Sequence, residues 1–117
     1  MPDTRPKVVQ SKTKRIKLGC GNLYVTVSYK DGKLYEVFCN MGKSGGCLMS
    51  NVDALSIAIT MGLRNNVPQS TYIEKLYGIK CQVYSLDDGE EYFSCADAIS
   101  KFMKEIESWL VNQKVNM

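Results

Sequence analysis

From position 23 to position 29 the side chains alternate. Leu23, Val25, Val27 and Tyr29 fall on one side of the chain, and Tyr24, Thr26 and Ser28 fall on the other. A period of two is that of a half-buried strand. Lys30-Asp31-Gly32 then supplies a turn, since Asp-Gly between two such runs favours a hairpin. Tyr35, Val37 and Cys39 share one face beyond it. The pattern predicts a hairpin over 21–40, with an earlier strand over 14–18. Downstream the period changes. Val52, Leu55 and Ile59, joined by Met61 or Leu63, predict a helix over 51–64. Ser50 and Asp53 stand at capping-box spacing at its start, and the residue before Pro68 resists helical dihedrals at its end. A short helix from Pro68 or Ser70 to Tyr77, closed by Gly78, comes next. A strand over 79–84, a turn over 85–90 and a return over 91–93 lead into the last element. There Ile99, Phe102, Ile106 and Leu110 recur at spacings of three and four. They predict a helix over 95–112, opened by Ser94 and Asp97 as a second capping pair, with Lys101, Lys104, Glu105 and Ser108 on its outer face.

These elements define an α+β fold, a small antiparallel sheet with two to three helices packed on one face, chiefly 51–64 and 95–112. At 117 residues the chain holds one modest core. Charge divides it. Residues 1–17 carry six basic groups against Asp3, and the remaining hundred carry nine basic and eleven acidic groups. The expected organisation is a basic linker or extension over 1–17, the domain proper over 18–112, and a tail over 113–117. Met1 to Lys7, with two prolines and no apolar periodicity, reads as the frayed end of something longer. The longest weakly polar run, 55–63, is too short to span a bilayer, and no apolar stretch follows the basic start as a signal peptide requires. A cytoplasmic location and no membrane partner are the expectation.

The basic arm raises nucleic-acid binding, as do Tyr24, Tyr29, Tyr35 and Phe38, which could form a stacking platform. Their alternation with aliphatic residues suits a core better, and the near-neutral body offers little to a phosphate backbone, so nucleic acid is not the expected partner. Gly42-Lys43-Ser44 invites a phosphate-loop reading, but the full pattern needs glycine at position 37, where Val37 stands. A flexible sheet-to-helix turn is the better reading, from which Lys43 could meet an anionic partner surface.

The candidate chemistry lies in five cysteines and no histidine. An odd count in a cytosolic-looking chain points to metal binding, redox chemistry or burial rather than a disulfide framework. Cys39 shares a strand face with Val37 and reads as a small hydrophobe. Cys20 sits between two glycines, Cys47 follows two glycines, Cys81 follows Gly78-Ile79-Lys80, and Cys95 opens the last helix. A helix start favours a thiolate. Four thiolates are the complement of a closed tetrahedral zinc site, although no paired C-x-x-C supports it by spacing. Reduced, buried cysteines remain the alternative reading.

Residues 19–47, with "GLRNNVP", "LYGIKC" and "SCADAI", together resemble the TSCPD domain over roughly residues 5–103. That domain ends adenosylcobalamin-dependent ribonucleotide reductases and also occurs in small free-standing four-cysteine relatives. The family signature has proline where Ala96 stands here. Its four cysteines fall on Cys20, Cys47, Cys81 and Cys95, with Cys39 additional, and a linker resembling "RPKVVQSKTKRIK" precedes it in the large enzymes. The resemblance implies a non-catalytic accessory or C-terminal domain serving deoxyribonucleotide synthesis. Its partner would be a reductase catalytic chain, which alone would carry adenosylcobalamin, and zinc would be a structural metal. The chain is not expected to be catalytic alone, because that radical chemistry needs a large barrel to position the cofactor. Two rivals belong to other classes: a thiol redox relay using a pair such as Cys81 and Cys95, and a nucleic-acid module using the basic arm.

Overall fold

The computed structural model describes residues 5–42, 46–82 and 84–115. Three long strands, β1 (Gln10–Leu18), β2 (Gly21–Lys30) and β3 (Lys33–Gly42), form an antiparallel sheet in the order β1-β2-β3. Helices α1 (Gly46–Arg64) and α2 (Gln69–Leu76) follow, then a small hairpin, β4 (Ser85–Asp87) and β5 (Glu90–Tyr92), and helix α3 (Cys95–Val115). This is the α+β arrangement that the periodicities predict.

The core is the inward face of the sheet. Leu23, Val25 and Val27 of β2 are fully buried with Ile16 of β1 and Val37 of β3. Ile99, Phe102, Met103, Ile106 and Leu110 of α3 bury the opposing stripe. Each such side chain contributes roughly 1.5–3 kcal/mol when taken from water. The β2–β3 turn is Asp31-Gly32, both at positive φ (54° and 78°), as a two-residue hairpin of matching twist requires. A bulge follows at Ser28 and Tyr29, where the register steps from Ser28↔Glu36 to Tyr29↔Leu34. The step puts Leu34 in the core and corrects the expectation that Tyr35 shares the face of Val37 and Cys39. Tyr35 instead lies under the Arg64 guanidinium, 5.3 Å from its ring centroid.

α1 runs beside β3 and closes that edge. The Thr60 hydroxyl accepts from the Val37 amide at 3.0 Å and donates to the Val37 carbonyl at 2.9 Å. Further along, Gln69 Oε1 accepts from the Leu34 amide at 2.8 Å. At the other edge, Asp87 Oδ2 accepts from the Lys17 amide at 2.9 Å and Ser85 Oγ accepts from the Gly19 amide at 2.8 Å.

Several boundaries differ from the sequence expectation. β1 begins at Gln10 rather than at 14, so it takes in half of the stretch whose charge reads as a linker. Lys12 packs 4.2 Å from the Trp109 ring, Lys14 pairs with Glu105 at 2.9 Å, and Arg5 pairs with buried Glu36 at 2.8 Å. α1 begins at Gly46, which makes Ser50 an interior residue rather than a cap. Leu48 and Met49 pack against the core, and that burial extends the helix a turn beyond its apparent start. Residues 79–82 form no strand, and the strand pairing falls on 85–87 and 90–92, around the positive-φ pair Asp88 and Gly89. Tyr24 and Phe38, expected in a core, are exposed on the outer face of the sheet. α3 continues to Val115, beyond the expected end at 112. The segment holding Lys43, including its phosphate-loop reading, lies outside the described residues.

Candidate functional site

One end of the sheet gathers the cysteine-bearing segments. Cys20 sits in the tight turn between β1 and β2, beside Gly21 at φ 140°. A Cβ on Gly21 would stand 3.1 Å from the Gly42 carbonyl oxygen, so glycine lets the end of β3 close against this turn. Cys47 lies a few residues beyond that strand end, in the first turn of α1, and is exposed. The bonds from Lys17 and Gly19 to Asp87 and Ser85 hold the same turn against the segment that follows Cys81. Cys81 is exposed, and its amide donates to the Phe93 carbonyl at 2.9 Å, two residues before Cys95. Cys95 opens α3, half-buried.

The thiols feel one another. Cys95 is pushed up to about 12, first by burial and then by Cys20, through charge and a hydrogen bond, with smaller contributions from Cys81 and Cys39. A helix start favours a thiolate, but burial and the neighbouring Cys20 raise this thiol instead. Cys39 is pushed up to about 11, mainly by burial, with Ser56 opposing and Asp53 adding to the shift. Cys39 packs against the core, as expected of a small hydrophobe. Among the thiols, Cys20 acts on Cys95 most strongly, and Cys81 and Cys39 act on it more weakly, whereas Cys47 is not among the groups that perturb it. Among the described residues, no group of three or more Cys, Asp or Glu is arranged to hold a metal ion. Thiolates at the ends of rigid elements are the donor type that a structural zinc site uses.

Ser94 and Asp97 both act, but only one as the capping box predicts. Ser94 Oγ accepts from the Asp97 amide at 3.0 Å. The Asp97 carboxylate, wholly buried, does not return to Ser94. It accepts from the Phe93 amide at 3.0 Å and the Gly78 amide at 2.7 Å. Lys101 pairs with it at 2.8 Å and donates to the Glu91 carbonyl at 2.6 Å. Lys101 was expected on the outer face of its helix. Instead its ammonium lies between the rings of Tyr77, Tyr92 and Phe93, at 5.3, 5.6 and 5.2 Å from their centroids. The i, i+4 spacing of Asp97 and Lys101 is the one sequence signal for this pair. Around Cys81 the chain also exposes Tyr77, Ile79, Tyr84 and Leu86. Among the described residues no helix is long and apolar enough to cross a membrane.

Comparison with known proteins gives a consistent result. The family profile described as TSCPD domain matches residues 1–107. The vitamin B12-dependent ribonucleotide reductase of Streptantibioticus cattleyicolor is 37% identical over 89 residues, which is 75% of this chain and 14% of that protein. That of Bradyrhizobium diazoefficiens is 35% identical over 75 residues, 63% of this chain and 6% of that protein. That of Agrobacterium fabrum is 26% identical over 99 residues, 84% of this chain and 8% of that protein. The chain therefore spans a small fraction of the length of these relatives. No solved structure matches it.

Proposed function

The chain belongs to the TSCPD domain family, and from that premise we propose that it is a non-catalytic accessory domain of an adenosylcobalamin-dependent ribonucleotide reductase. The observation that carries this reading is the shared segment: most of this chain recurs, at 37% identity, within a vitamin B12-dependent ribonucleotide reductase about seven times the length of the matched part. Its role is to dock on a catalytic chain, which alone carries the cobalamin and performs the reduction. Four exposed apolar side chains within ten residues of one another, Tyr77, Ile79, Tyr84 and Leu86, support docking through this stretch. The cytoplasm is the compartment of this reading, which suits five cysteines without a disulfide among them.

In this reading Cys20, Cys47, Cys81 and Cys95 hold one structural zinc ion. Support comes from the bond of the Cys81 amide to the Phe93 carbonyl, which sets the chain at Cys81 beside the Cys95 helix start, and from the action of Cys20 on Cys95. Packed thiols repel one another as anions, and a cation removes that penalty. When bound, the zinc would contribute folding energy and hold the element ends together, with no open position for substrate. The test pairs two measurements. A vitamin B12-dependent reductase lacking its own matching segment should co-purify with this chain, and failure to do so overturns the accessory role. Elemental analysis of chain purified without chelator or affinity metal should give about one zinc per chain, and sub-stoichiometric metal overturns the metal site.

A further inference from the structure

We infer that Asp97 is the positioning residue of the cysteine site, its carboxylate fixing the Cys81 segment against the Cys95 helix start. The inference rests on the reading of these cysteines as one site. Ser94 already caps α3, so the helix does not need a second acceptor there. The Asp97 carboxylate, 0% exposed, instead reaches out of its own helix to Gly78, three residues before Cys81, and to Phe93, two residues before Cys95. Phe93 is engaged from both sides. Its amide donates to Asp97, and its carbonyl accepts from Cys81. Any slack at Asp97 therefore passes through one residue to both cysteines. Lys101 neutralises the buried charge at 2.8 Å and is itself held by the Glu91 carbonyl and three aromatic rings.

A buried carboxylate is costly unless several donors satisfy it, and here two amides and an ammonium converge on it. Such an investment suits a place where two chain segments must be set to within a fraction of an ångström, as metal ligands must be. Outer partners that orient ligands typically change metal affinity by about 10- to 100-fold when removed.

The experiment compares the parent chain with Asp97→Asn and Ser94→Ala. Asparagine keeps the size but presents an amide N–H₂ to one of the two backbone donors, so one bond is lost with the charge. Ser94→Ala weakens the same helix start without touching Gly78, and so stands for a merely structural effect. Cobalt titration reads affinity and the ligand-field bands of a tetrahedral thiolate site, and alkylation of the metal-free chains reads Cys81 and Cys95 relative to Cys47. Asp97→Asn should bind cobalt at least about tenfold more weakly and raise the alkylation of Cys81 and Cys95 relative to Cys47, while Ser94→Ala leaves both readings near the parent. Cobalt binding by the parent with unchanged affinity in Asp97→Asn overturns the inference and leaves the metal site standing. If the parent takes up no metal, the metal reading falls and alkylation decides: a raised ratio in Asp97→Asn alone supports the positioning role, and an unchanged ratio ends it. Should Asp97→Asn fail to fold, Lys101→Met, which removes the counter-charge and the bond to the Glu91 carbonyl but keeps both backbone donors to Asp97, is read by the same ratio: a raised ratio supports the positioning role and an unchanged ratio ends it.

Discussion

The sheet with α1 and α3, and the stretch from Tyr77 to Cys95, are stabilised by different means. The first is held by apolar burial: Ile16, Leu23, Val25, Val27, Val37, Ile59 and Ile99 are all wholly excluded from water. The second has two three-residue strands, an irregular run at 79–82, and exposed apolar side chains on its outside. Apart from Tyr92, which enters the core, it stays in place largely through polar contacts with single side chains, namely Asp97, Lys101, Ser85 and Asp87. Burial is spread over many residues and tolerates the loss of any one bond. A segment held by a few hydrogen bonds can be specific in geometry yet low in local stability, which is common where function lies.

The contrast can be broken at four places, in order of expected effect. Leu23→Ala in the centre of the sheet should lower unfolding free energy by about 2–5 kcal/mol, read as a fall in the urea midpoint. A loss below about 1 kcal/mol would mean that the core is not where the stability resides. Thr60→Val keeps the shape but strands the Val37 amide and carbonyl at the edge of the sheet. Its expected cost is about 1–3 kcal/mol, with faster hydrogen exchange at Val37; unchanged exchange there would remove Thr60 from the account of that edge.

Alkaline pH provides a smaller effect. Burial raises the Cys39 thiol from an ordinary 9.0 to about 11. A thiol raised on folding stays protonated in the native state while the unfolded chain begins to ionise. Its stabilising contribution is therefore complete below pH 9 and is lost as pH rises through about 11. The urea midpoint of the parent should fall over that window, and Cys39→Ala should flatten the fall; parallel curves would refute the assignment. The smallest effect on stability belongs to the other region. Leu86→Ser should change unfolding free energy by no more than about 0.5 kcal/mol, as exposed substitutions do, while the proposed accessory role expects it to weaken co-purification with a vitamin B12-dependent reductase. Undiminished co-purification would move the docking surface elsewhere.

The same contrast explains what the sequence made legible. Where side chains enter a core, their period is visible: the alternation at 23–29 and the stripe from Ile99 to Leu110 mark true elements. Where apolar residues face solvent, the same signs mislead. Ile79 and Tyr84 suggested a strand, and both are exposed outside any strand; Tyr24 and Phe38 suggested a core, and both lie outside it. Ser50 and Asp53 had capping spacing, but tertiary burial of Leu48 and Met49 placed the helix start earlier. At the site, glycines flanking Cys20 and preceding Cys47 signalled element ends, and Ser94 was recognisable as a cap. The partners of the Asp97 carboxylate were not, because a bond from residue 97 to the amide of residue 78 leaves no periodic trace.

Both borders of the three-stranded sheet are guarded, and this bears on how the protein behaves in a crowd. An open strand edge offers a row of amides and carbonyls onto which another chain can add, and growth of that kind ends in fibres. Here Thr60 and Gln69 occupy the β3 edge, and Ser85 and Asp87 occupy the C-terminal half of the β1 edge. The remaining stretch of β1 carries Lys12, Lys14 and Arg15, and although Lys14 is paired with Glu105, charged side chains along an edge strand disfavour the addition of another strand. Association is thereby steered away from backbone pairing and toward side-chain surfaces, where the identity of the partner can be discriminated.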